Sequence, residues 1–244
     1  MKIERLQVNR GIQIPNENRC TNIGGVARVG ANIFVIKTKQ DNTVSTVYRY
    51  DSNNKYITKK FTDKLGHGNG LAYGNSLAYE NGILAVPPCG NYLNVIDAKT
   101  WKRTQYKSSR YISAVAYRGM CVWLVKSQKS ILETRLDERT KKLKFTDKWK
   151  IGNPVENAGF VISQDITYKH EKLFCLYSNS GKNQNCIVVF EMVNGEWTPT
   201  KIYESGRSDR LYEWESLDVS NDGDILIAAN TADGDYLYQG RLYL

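Results

Sequence analysis

The residues of this chain best suited to chemistry include two glutamates, Glu213 and Glu215, which flank Trp214 in the run YEWES. Side chains alternate along an extended strand, so both carboxylates are expected on one side and the indole on the other. Such a pair can act as general acid and base, or give oxygen ligands to a hard cation. The simpler expectation is that one glutamate pairs with Arg207 or Arg210 and the other is solvated. His67, in the run GHGNG, is the one histidine outside a surface turn, His170 lying in the turn KHEK. Its imidazole titrates near neutral pH. It can bind backbone in a glycine-rich turn, hydrogen-bond a ligand, or serve as acid, base or metal ligand beside Asp165 or Glu215. The expected ligand-binding set is Asn22, His67, Asn69, Tyr111, Ser113, Gln164, Asp165, Glu213, Trp214, Glu215, Arg207 and Arg210. No catalytic residue is singled out, and neither a cofactor nor a metal is expected.

Composition narrows the partners. With 41% hydrophobic and 24% charged residues, the chain has the make-up of a globular protein and not of a disordered one. Its longest apolar runs, such as 82–88 and 186–190, fall far short of the roughly 18 residues of a membrane helix. The opening residues MKIERLQVNRG lack an apolar signal core. A cytoplasmic protein with no membrane partner is expected, with release by lysis or carriage on a phage particle left open. The net charge of +9 raises the expectation of an anionic partner: a phosphate ester, an acidic glycan or a nucleic acid. A solvated basic surface is the equal alternative. No recognition helix or RNP motif is present, which argues against sequence-specific nucleic-acid binding. Five cysteines, an odd number without a C-x-x-C pair, argue against a zinc site or a disulfide framework. Cys121 and Cys175 are expected as buried thiols. Walker A, G-x-G-x-x-G, H-E-x-x-H and G-x-S-x-G motifs are all missing.

What must position the candidate residues is a repeat. Five segments open alike: GGVARV (24–29), NGLAYG (69–74), SAVAYR (113–118), QDITYK (164–169) and ESLDVS (215–220). Aligned on Val26, Leu71, Val115, Ile166 and Leu217, they are 45, 44, 51 and 51 residues apart, close to the period of a four-stranded propeller blade. Each is followed by β-branched and aromatic runs punctuated by Gly, Asn, Asp and Lys, and no sustained helical period appears. The fifth unit ends after three strands, and KIERLQV (2–8) is expected to supply its fourth, covering exposed sheet edges. The fold class that follows is all-β, a single domain over 1–244: a five-bladed β-propeller of four-stranded antiparallel blades, closed by the N-terminal strand.

The segment NYLNVIDAKTWK (91–102) resembles the V-x-V-I-D-x-x-T repeat of bacterial YVTN-type and NHL-like propellers. The close match covers one blade, and the looser periodic pattern covers nearly the whole chain. Those families usually have more than five blades, so the resemblance implies the architecture and says little about activity.

Within each unit the loops between second and third strands are long and polar, as in KTKQDNT (37–43) and YSNSGKNQN (177–185). They share one face with the connections between blades, and long loops on a rigid scaffold are where binding concentrates. Aromatic residues (Tyr92, Tyr111, Phe160, Tyr177, Tyr212, Trp214) and basic ones (Arg110, Lys126, Lys129, Lys182) lie in or beside these loops. The leading expectation is a non-catalytic propeller holding a small anionic or sugar-like ligand at the mouth of a central channel. The first alternative is a glycosidase- or lactonase-like hydrolase or lyase using axial carboxylates. There Asn69, Asp165 and Glu215 loosely resemble the Asn/Asp/Glu calcium set of gluconolactonase-type propellers. The second alternative is a protein-interaction platform. Oligomeric state is not legible.

Overall fold

Short polar side chains decide where the strands stop. Asp97 Oδ1 accepts the backbone N–H groups of Lys99 (2.9 Å) and Thr100 (2.6 Å), and Asp137 Oδ1 accepts those of Arg139 and Thr140 (3.1 and 3.2 Å). Asp51 Oδ1 caps Asn53 and Lys55 in the same way. The aspartate of the VIDAKT run is thus a turn cap, satisfying donors that a reversing chain would leave open. Other reversals are tighter. Met120–Cys121 and His170–Glu171 are left-handed at both positions, with φ of 49° and 59° in each pair. This is the turn whose twist matches an antiparallel hairpin. Cys121 therefore lies half-exposed in a turn, not buried as expected, while Cys175 is buried.

A computed structural model of the chain describes residues 2–51, 53, 55–76 and 79–243. It is all-β. Two strands precede the first repeat: β1 (Lys2–Arg5) and β2 (Val8–Gln13). Next come β3 (Cys20–Val29), β4 (Asn32–Lys39), β5 (Ser45–Asp51) and β6 (Tyr56–Asp63), then β7 (Ala72–Ser76), β8 (Tyr79–Val86), β9 (Gly90–Asp97) and β10 (Arg103–Ile112). They are followed by β11 (Ala114–Gly119), β12 (Val122–Ser127), β13 (Ser130–Asp137) and β14 (Lys142–Lys150). After them run β15 (Ile162–Lys169), β16 (Lys172–Asn179), β17 (Gln184–Val193) and β18 (Glu196–Glu204), and last β19 (Tyr212–Val219), β20 (Asp224–Thr231) and β21 (Gly234–Arg241). Among the described residues no helix is long and apolar enough to cross a membrane.

Each group is an antiparallel meander. The second and third merge into one eight-stranded sheet where Lys107 of β10 pairs in parallel with Lys142 of β14. The inner strand of each group touches its neighbour: β3 with β7, β7 with β11, β11 with β15, β15 with β19, and β19 again with β3. The apolar core lies in wedges between neighbouring groups. Strand alternation feeds both sides: Val35 of β4 enters one wedge with Leu226 and Ala228, and Ile36 enters the next with Leu84 and Ile96. The arrangement is propeller-like.

The N-terminal segment differs from expectation. The strand that completes the last group is Val8–Gln13, antiparallel to β21, and not 2–8. Lys2–Arg5 instead runs parallel to β18 as a fifth strand of the preceding sheet. The reason lies in side-chain spacing. Ile3 is 62% exposed, so β1 is held by backbone pairing and by Lys201–Glu4 (3.2 Å), whereas Leu6 and Ile14 are buried in two different wedges. Gly11 fits because a side chain there would strike the Leu237 carbonyl.

Glycine has a second task where the inner strands begin. Gly70 sits at φ +81°, donates its N–H to the Gly24 carbonyl (2.7 Å), and a Cβ on it would fall on the Asp165 carboxylate. Gly70→Ala should lower stability by about 2–4 kcal/mol, combining overpacking with left-handed strain. Gly30→Ala, also at positive φ but with nothing within 4 Å of its Cβ, should cost only about 1 kcal/mol. Urea unfolding of the two variants checks the contrast.

Candidate functional site

Three inner strands lose register near their starting ends. The pairing of β3 slips between Cys20 and Asn22 and again between Ile23 and Gly25, that of β15 between Ser163 and Ile166, and that of β19 between Trp214 and Ser216. Bulges re-aim side chains and collect near functional sites. Here they free Gln164, Asp165 and Glu215 from strict alternation.

Asp165 is 1% exposed and ties the inner strands together. Its Oδ2 accepts the Ser216 hydroxyl (2.6 Å) and the Leu217 N–H (3.2 Å), and its Oδ1 accepts the Ile166 N–H (2.8 Å). The Ser216 hydroxyl oxygen in turn accepts the Val26 N–H at 3.1 Å. Burial pushes the Asp165 carboxyl up to about 7 in spite of these donors. Being sealed and fully bonded, it is a structural group and not a ligand contact.

The neighbouring carboxyls are different. Glu213 is half-buried and accepts the Gln164 side-chain amide at 2.8 Å, and burial raises its pKa. Glu215 is densely surrounded yet keeps accessible surface. Burial, reinforced by the charges of Glu213 and Asp235, raises its pKa well above the carboxylate range. Beside Glu215 stands Cys89, at φ 56° in the loop between β8 and β9, hydrogen-bonded to the exposed Tyr111; burial pushes the thiol up. Asp235 is buried against Lys37 (Oδ2–Nζ 2.6 Å). Lys37 Nζ also donates to the Ile14 carbonyl (3.1 Å) and to Asn16 Oδ1. Burial lowers the Lys37 pKa.

Of the residues expected from sequence, Gln164, Glu213 and Glu215 come together, with Tyr111 adjacent through Cys89. Ser113 is half-buried, its hydroxyl donating to the Lys126 carbonyl at 3.3 Å. Asn22 and Asn69 are half-buried beside the glycine turn. His67 lies exposed at the rim, Nδ1 3.1 Å from Asn42 Oδ1, with desolvation lowering its pKa. Trp214 is fully buried in an apolar wedge with Leu217 and Ile227 and offers no face to a ligand. Arg207 and Arg210 are exposed, and among the described residues neither pairs with Glu213 or Glu215. Sequence reasoning overlooked Cys89, Lys37 and Asp235. A lysine directly continuing the apolar run IFVI (33–36) was the available signal for Lys37.

Among the described residues no group of three or more His, Cys, Asp or Glu is arranged to hold a metal. Asp165 is engaged with Ser216, so Asn69, Asp165 and Glu215 do not form an oxygen ligand set. A cavity of about 830 Å³ lies elsewhere, between the β1–β2 link and β21. It is open to solvent, and Arg28 within it already pairs with Asp218 at 3.1 Å, so the chemistry is better sought at the inner-strand ends.

No protein-family model matches the sequence, and no curated protein matches it. Solved structures do. The glutaminyl cyclase of Myxococcus xanthus is similar with a TM-score of 0.64 and 11% identity, over 98% of this chain and 98% of that one. A luciferin-regenerating enzyme is similar with a TM-score of 0.54 and 9% identity, over 95% of this chain and 94% of that one. At such identities the likeness is one of fold, and it is of the β-propeller type.

The raised carboxyls set a pH dependence. Asp165, Glu213, Glu215, Asp218 and Asp235 are all raised, chiefly by burial. Each favours the folded state when protonated, and that stability is lost as pH climbs through the folded pKa. Exposed Asp41 and half-buried Asp137 are lowered, first by side-chain hydrogen bonds from Lys39 and Thr140, and their contribution is lost on the acid side. His67, lowered by desolvation, also weakens the fold on that side. The melting temperature should peak near the ordinary carboxyl pKa of about 4 and fall as pH rises to about 7. Asp165 alone can contribute on the order of 4 kcal/mol to that fall, so Asp165→Asn should flatten the slope. An unchanged slope in a fluorimetric pH series would refute this assignment.

Proposed function

We propose that residues 1–244 form one closed five-bladed propeller, and that the starting ends of its inner strands surround a channel mouth carrying an acid–base catalytic site. The return of β19 to β3 and the pairing of β2 with β21 support closure. One observation carries the functional reading: the bulge in β19 leaves Glu215 partly exposed beside Glu213 and Asp235, with the Cys89–Tyr111 pair next to it. Of the three carboxyls, Asp235 is neutralised by Lys37. Glu213 is held by an amide, while Glu215 is raised first by burial and then by the Glu213 charge beside it, so the two are poised at different proton affinities. That is the arrangement a general acid and its ionised partner require. The chemistry it fits is proton transfer during cyclisation or hydrolysis at an amide, ester or lactone carbonyl. The glutaminyl cyclase and the luciferin-regenerating enzyme are each named as enzymes, which supports the catalytic alternative over a passive binding module. Carboxyls at this spot also favour a neutral or cationic group there over an anionic one.

Turnover of an N-terminal glutaminyl peptide and of a panel of small lactones tests the reading. The wild type should turn over one class, and Glu215→Gln should reduce kcat/KM by about 10²–10⁴ and remove one limb of the pH profile. If the wild type acts on neither class and Glu215→Gln binds ligands as the wild type does, the site is not catalytic.

A further inference from the structure

Among the described residues two lysines are buried, and their surroundings are opposite. Lys37, 0% exposed, has oxygen partners on Asp235, Ile14 and Asn16. Lys126, 9% exposed, makes no ion pair among the described residues, and no side-chain hydrogen bond from them reaches its Nζ. The ammonium is not sealed, since it is absent from the buried unpaired atoms. Its place is set by β12: Leu124 faces the wedge shared with Ile166 and Cys175, and alternation sends Lys126 to the same side, two residues nearer the strand end. That end is the one where the inner strands begin, because the Ser113 N–H and hydroxyl both bind the Lys126 carbonyl (3.0 and 3.3 Å). Burial lowers the Lys126 pKa, and the opposing influence comes from the Cys175 thiol, with no carboxylate contributing. A largely buried cation with no protein acceptor is only partly hydrated through its open side, and an arriving anion can supply the missing partner.

We propose that Lys126 is the anion-recognising group of the site, taking a carboxylate or phosphate oxygen of the bound molecule. The inference rests on reading the inner-strand ends as the functional site. It makes the ligand two-ended, with an oxyanion at Lys126 and a neutral or cationic group toward Glu213 and Glu215. It also restores an anionic feature to a ligand that the glutamates alone would repel. The geometry suits a charge-assisted hydrogen bond at the edge of an apolar wedge, where water competes poorly.

The test titrates sodium phosphate and sodium acetate against sodium chloride at matched ionic strength. It follows melting temperature and, in the wild type, the ¹⁵N resonance of the lysine Nζ groups. Wild-type protein should show a saturable rise in melting temperature and a shifted Nζ resonance with one or both oxyanions. Response to phosphate alone assigns a phosphoryl group, and response to acetate assigns a carboxylate. Lys126→Met, close in volume, should lose the response by 10-fold or more in apparent affinity, and Lys126→Arg should retain it. Glu215→Gln should keep the oxyanion response even as it loses turnover, so failure of the catalytic reading shows separately. No wild-type response to either oxyanion, or an equal response in Lys126→Met, overturns the proposal.

Discussion

The carboxylate of Asp165 is the constraint on which the inner strands depend. It gathers the Ser216 hydroxyl and the N–H groups of Ile166 and Leu217, while Ser216 reaches on to the Val26 N–H. One buried acid therefore joins β3, β15 and β19, and the absence of a side chain at Gly70 brings β7's entry turn against it. The burial that makes this group costly to ionise also makes its bonds strong, since nothing in the surroundings competes for them. The register slips in β15 and β19 are consistent with this demand: a chain that must present Asp165 and Ser216 inward cannot also keep an unbroken ladder.

Much of the fold was legible because its rules are local. The spacing of GGVARV, SAVAYR and ESLDVS marks the inner strands, and the Asp, Asn, Gly and Lys that punctuate the β-branched runs fall at turns such as those capped by Asp97 and Asp137. What was misread depended on distant partners. KIERLQV looked like one strand, yet the parallel attachment of Lys2–Arg5 to β18 and the fit of Gly11 against Leu237 are properties of residues some two hundred positions away. Cys121 looked apolar in sequence and is the second residue of a left-handed turn.

The site divided along the same line. Gln164, Glu213 and Glu215 were visible as polar residues opening inner strands, and the structure brings them together. Trp214 was misplaced because its neighbours are polar while its own side chain belongs to the core. Cys89, Lys37 and Asp235 could not be grouped from sequence, since each comes from a different loop or strand and only packing makes them neighbours. The net charge of +9 pointed toward anions, yet Glu213, Glu215 and Asp235 gather at one spot; overall charge describes the surface and not its recesses.

The seam between Val8–Gln13 and Gly234–Arg241 has a consequence for the order of assembly. Val8–Gln13 must wait for a partner strand more than two hundred positions later in the chain before that sheet can be completed. Until then the edge of β21's sheet and the apolar surface around Ile14 stay available to chaperones, or to a neighbouring copy of the chain.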